Sequence, residues 1–228
     1  MSATLHNQLD ALKQRFARMA ARVMQSAERS VEAVFEGDAP LVEKVRKADL
    51  QIDAEEVAVE RAAIDLLALH QPQAVDLRTI TTIIKANSDF ERIGDCAVNV
   101  ANAARPLIEA RDAGDDPHLP GELRDLSEAV LAQLAATIRA FNITDAAAAQ
   151  DVLRGEERVD AIYASVLQTI HGRLPIDARR SGSQVGLDIA EMMIAKNLER
   201  MGDHCTNIAE DVIYIATGRI IRHGVDAG

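Results

Sequence analysis

A chain of 228 residues with 48% hydrophobic and 3% aromatic residues and no Trp describes an Ala/Leu/Ile/Val-rich core of the kind helical bundles use. A formal net charge of −11 and a pI near 5.0 exclude a general nucleic-acid binder, which needs a basic face, and speak against adsorption to anionic lipid. No apolar run approaches the ~18 residues of a membrane span. The start, Met1-Ser2-Ala3-Thr4-Leu5-His6, lacks the basic and apolar regions of a secretory signal, so a cytoplasmic chain is expected.

Leu5, Leu9, Leu12, Phe16, Met19 and Val23 alternate in steps of four and three, which predicts a first helix continuing through Val31 to Phe35. Glu36-Gly37-Asp38-Ala39-Pro40 stops it, with Asp38 expected as the N-cap of the next helix and Pro40 in its first turn. The second helix carries Leu41, Val45, Ala48, Ile52, Val59, Ala63 and Leu66 and ends near His70-Gln71-Pro72. A third holds Ile80, Ile83, Phe90, Ile93, Ala97, Val100, Ala104 and Leu107 in one run. The turn-rich stretch from Ala113 to Gly121 is the expected boundary between halves.

The second half repeats the plan, with helices of about 122–141, 145–172 and 183–218. No strand-like alternation is evident. The expected fold is all-α, with two tandem three-helix bundles (1–112 and 119–220) related by an internal repeat.

The clearest repeat is Phe90-Glu91-Arg92-Ile93-Gly94-Asp95, which returns as Leu198-Glu199-Arg200-Met201-Gly202-Asp203, each copy followed by an Asn, at Asn99 and Asn207. Residues four apart on a helix share a face, with Cβ atoms ~5–6 Å apart, so Glu91/Asp95 and Glu199/Asp203 each present paired carboxylates. Asp49/Asp53 and Glu156/Asp160 repeat that spacing on the middle helices. All four pairs lie off the apolar stripes, which predicts acidic rows at the bundle surfaces.

Four matched pairs point to a cation site, against the alternative of a merely solvated face. Oxygen donors without His or Cys on the row select hard ions: iron as the ferric ion, manganese, magnesium or calcium. Gly94 and Gly202 each cost ~1 kcal/mol against alanine inside a helix, so a helix crossing or a bound group is expected to come close at both. Cys96 and Cys205 fall out of register between the repeats and read as buried, reduced thiols. His70 and His171 are placed to cap helix C-termini, Arg92 and Arg200 to make surface ion pairs, and Arg179-Arg180 to lie in a solvated loop.

On these motifs, together with Asp76-Leu77-Arg78 and Asn207-Ile208-Ala209-Glu210, the sequence resembles the PhoU family along essentially its whole length. That resemblance implies two three-helix bundles and a non-enzymatic, homodimeric cytoplasmic regulator that keeps the phosphate-starvation response off. It implies contacts with the ATPase subunit of a phosphate ABC transporter and with a sensor histidine kinase. It also implies metal at the acidic motifs, in some members as a multinuclear cluster. The first half departs at Cys96-Ala97-Val98-Asn99, where the second has His204-Cys205-Thr206-Asn207, so the two halves are expected to differ in metal affinity. The alternatives from other classes are a carboxylate-bridged di-metal oxidase, which would use Glu-x-x-His motifs absent here, and a plain scaffold with solvating acids.

Overall fold

The computed structural model describes residues 3–115, 117–173, 182–222 and 225–227. Among the described residues seven helices follow in order: α1 Ala3–Glu36, α2 Ala39–His70, α3 Ala74–Ala103, α4 Arg105–Asp112, α5 Gly121–Ile143, α6 Ala146–Arg173 and α7 Gly182–Thr217. The described residues are all-α apart from one short hairpin, with α1–α3 forming one bundle and α5–α7 the other. Arg179-Arg180 lies outside the described residues.

The apolar stripes explain the bundles. Leu5, Leu9, Leu12, Phe16, Met19 and Val23 of α1 are all buried, facing Ile52 and Val59 of α2 and Ile83, Phe90 and Ile93 of α3 in one continuous core. That core does not stop at the repeat boundary. Phe16 meets Phe90 at 5.4 Å between ring centroids and Phe141 of the second bundle at 4.6 Å. The longest seam between the halves is α3 against α7, with α1 touching α5 beside it.

Four local expectations are corrected. The third helix breaks at Ala104, because Pro106 in the first turn of α4 has no N–H to offer the preceding turn. Ala104 still donates to Val100 O and Ile108 to Ala104 O, both at 3.0 Å, so the break is slight. Asp38 occupies the N-cap position of α2 but its side chain makes no capping hydrogen bond. Asp145 does cap, at the start of α6: its Oδ1 accepts from the N–H groups of Ala147 (2.9 Å) and Ala148 (3.1 Å). His70 caps no carbonyl; its Nε2 lies 2.6 Å from Gln8 Oε1, tying the end of α2 to α1. Last, β1 (Ile220–Arg222) and β2 (Val225–Ala227) pair antiparallel after α7, a hairpin too short for alternation to announce it.

The bundles are joined by polar contacts as well. His204 Nδ1 on α7 sits 2.8 Å from Asp89 Oδ1 on α3, and Asn207 Nδ2 donates to the same oxygen at 3.3 Å. Lys85 pairs with Asp211 at 3.6 Å, and Arg124 lies over the Phe35 ring at 4.1 Å.

Candidate metal centre

The two glycines set the spacing of the acidic faces. A Cβ at Gly94 would stand 3.3 Å from Ile52 Cδ1 and 3.7 Å from Asp49 Oδ1, so α3 lies directly against the acid-bearing turn of α2. At Gly202 it would stand 3.3 Å from Val159 Cγ1 of α6 and 3.1 Å from Gln133 Oε1 of α5. Both glycines therefore mark close helix crossings, and each crossing places the acids of a middle helix beside those of a third helix.

In the first bundle, Asp49 and Glu91 are half-buried while Asp53 and Asp95 are exposed. Asp49 Oδ1 is shut away from solvent and has no hydrogen-bond partner. Burial, then the neighbouring Asp53 and Asp95, push its carboxyl up from 3.8 to about 6. Glu91 is also raised, first by burial and then by Asp95, Asp53 and Glu56, with Arg92 opposing. Asp49, Asp53, Glu91 and Asp95 thus form one mutually repelling group drawn from two helices.

In the second bundle, Asp160 of α6 and Glu199 and Asp203 of α7 each bring a carboxylate oxygen within 4.8 Å of the others. Glu156 lines, with Asp203, Asn207 and Glu210, a cleft of about 640 Å³. Burial is the main cause that raises both Glu156 and Asp203. Here one cation is already present: Lys196 Nζ lies 2.6 Å from Glu199 Oε2, and that hydrogen bond raises the lysine in turn. The matching first-bundle position is Ser88, so the halves differ in resident charge.

Three oxygen-bearing groups within 4.8 Å, and an orphaned carboxylate oxygen in the other half, fit a hard cation and would not suit a soft one. Asn207 is turned to Asp89 through its amide nitrogen, and Asn99 is exposed. His204 also engages Asp89 rather than the carboxylates. The thiols take no part: burial pushes Cys96 up to about 11 and Cys205 to about 12. Glu56, itself raised by burial and by Glu60 and Asp53, and Glu210 have no acidic counterpart in the other half, where Tyr163 and Asn102 stand. Each lies seven residues past a motif acid, Asp49 and Asp203, and that spacing was the available signal.

The PhoU domain model matches residues 16–104 and again 123–212, one copy per bundle. The chain belongs to the PhoU family. It is similar to the phosphate-specific transport system accessory protein PhoU homolog of Pseudomonas putida, 32% identical over 98% of this chain and 84% of that protein. The homolog of Rhizobium meliloti is 33% identical over 92% of this chain and 86% of that protein. Among crystal structures, PhoU from Pseudomonas aeruginosa superposes with a TM-score of 0.85 at 31% identity, covering 93% of this chain and 99% of that one. The phosphate transport system regulatory protein PhoU from Streptococcus pneumoniae gives 0.84 at 26% identity, over 96% and 99%. No helix among the described residues is long and apolar enough to cross a membrane.

Proposed function

We propose that this chain is an accessory regulator of phosphate transport, acting without catalysis as a cytoplasmic adaptor, as a homodimer, between the ATPase subunit of a phosphate ABC transporter and a sensor histidine kinase. The observation that carries this reading is the pair of PhoU domains matched over residues 16–104 and 123–212, each presenting its acidic pairs on a helix crossing of the same kind. Relatives named as phosphate-specific transport accessory proteins support it over most of their length.

The carboxylates are the second part of the proposal. Asp49, Asp53, Glu91 and Asp95 would hold a hard cation in the first bundle, and Glu156, Asp160, Glu199 and Asp203 in the second, as a multinuclear cluster where more than one ion enters. Such an ion would neutralise the clustered charge and cross-link two helices. The side chains themselves supply oxygen donors and, through Glu91 and Glu199 one turn from Asp95 and Asp203, a fixed spacing along the helix.

A phosphate-repressible alkaline phosphatase assay tests the role. A deletion strain at high phosphate is given either the wild-type protein or one with Glu91, Asp95, Glu199 and Asp203 changed to Ala. Repression restored by the wild type alone makes the acids part of signalling. Repression restored by both keeps the regulatory role and removes the acids from it. Failure of the wild type to restore repression overturns the phosphate reading.

A further inference from the structure

The outer face of α2 carries an apolar seam that the fold does not use. Leu50, Val57 and Ile64 recur every seven residues and are 69%, 60% and 51% exposed. Exposed Ala54 and Ala68 fill the seam between and beyond them, with Arg61 as the one polar member. The core stripe of the same helix, Val45, Ile52, Val59 and Leu66, points the opposite way and is buried.

Scattered exposed apolar residues need no explanation, but a row at a strict seven-residue period is the pattern by which one helix receives another. The seam is not a by-product of the repeat. The equivalent exposed positions on α6 are Glu157, Ala161, Ala164, Gln168 and His171.

The charge beside the seam says what kind of helix fits. One residue before Leu50, Ala54, Val57 and Arg61 runs a second row, Asp49, Asp53, Glu56 and Glu60, and none of these makes an ion pair among the described residues. Asp49, Asp53 and Glu56 repel one another, Glu60, Glu91 and Asp95. On the other flank Glu55 is already held by Arg15 at 2.9 Å. With a net charge of −11, a second copy of the chain would bring more of the same sign to this row.

We infer that the outer face of α2 is a docking site for an amphipathic helix of a partner protein, one with an apolar heptad seam and lysine or arginine along the edge that meets Glu56 and Glu60. The seam supplies the buried apolar contact, and the acidic row fixes orientation and rejects acidic helices. The inference extends the adaptor reading and rests on it for there being a partner. Binding of a peptide tests the face while the repression assay tests the role, so either can fail alone.

The experiment titrates the full chain, in chelator, with two fluorescently labelled synthetic helices of about four heptads, identical in their leucine seam. One carries lysine at the flanking positions and the other glutamate, and anisotropy reports binding. The lysine helix should bind at least about tenfold more tightly, with the advantage shrinking as salt rises. The triple variant Leu50→Gln/Val57→Gln/Ile64→Gln should lose that binding with an unchanged melting temperature, since these side chains face away from the core. A second variant, Glu56→Gln/Glu60→Gln, should retain binding but lose the preference for lysine. The proposal is overturned if neither helix binds, if both bind equally, or if the triple variant still binds. It is also overturned if sedimentation shows the wild type, but not the triple variant, associating with itself, because the occupant is then a second copy.

Discussion

Asp49→Asn should stabilise the protein at neutral pH when no divalent cation is present. In the folded chain its carboxyl is raised from 3.8 to about 6, by burial first and by Asp53 and Asp95 second. A carboxyl raised on folding favours the protonated state of the fold. Its penalty is therefore absent below the unfolded value, grows as pH climbs from about 4 towards 6, and is complete above that. The full shift corresponds to about 3 kcal/mol, but the side chain is only half-buried, and screening by solvent brings the expected gain to about 1 kcal/mol.

That is a rise of roughly 2–4 °C in melting temperature for a chain of this size. Urea unfolding followed by circular dichroism, in chelator at pH 7.5 and again near pH 4, reads the effect directly. The variant should be the more stable protein at the higher pH, and the gap should close at the lower. Adding manganese at a hundredfold excess over its dissociation constant should reverse the order, because binding to the folded state is worth about 2.7 kcal/mol to the wild type. A variant less stable than wild type at pH 7.5 in chelator, or a gap indifferent to pH, refutes the view that Asp49 holds strained charge.

Two further outcomes test other parts of the structure. Asp145→Ala should cost about 1 kcal/mol in urea unfolding, whereas Asp38→Ala should change stability by less than about 0.5 kcal/mol, because only the former side chain caps a helix. Lys196→Met removes the cation resident on Glu199 and should tighten manganese binding to the second bundle several-fold by calorimetry; unchanged affinity would place the ion away from Glu199.

The long helices were legible because each carries an uninterrupted core stripe; Leu5 to Val23 of α1 named its buried face residue by residue. The paired carboxylates were legible because the repeat printed them twice. What the sequence concealed depends on contacts between distant segments. Asp38 and Asp145 are the same residue type at matching turns, yet only one side chain reaches the helix N–H groups. Nothing local ties His204 to Asp89, or His70 to Gln8, across more than sixty residues of chain. The break at Ala104 was visible in Pro106 but was outweighed by an apolar rhythm that continues through Leu107. Glu56 and Glu210 lay in plain sight and lacked only a copy in the other half.

The meeting of Phe16, Phe90 and Phe141 has a consequence for how the two repeats behave as a unit. Parting the bundles would bare an aromatic centre and the long α3–α7 seam together, so neither repeat has a private unfolding transition. Denaturation should be a single cooperative event despite the duplicated plan. Free energy gained by an ion or a partner at one bundle is then shared by both. A chain built from two copies of one module should thereby melt as a single body, so that a change stabilising one repeat raises the melting temperature of both.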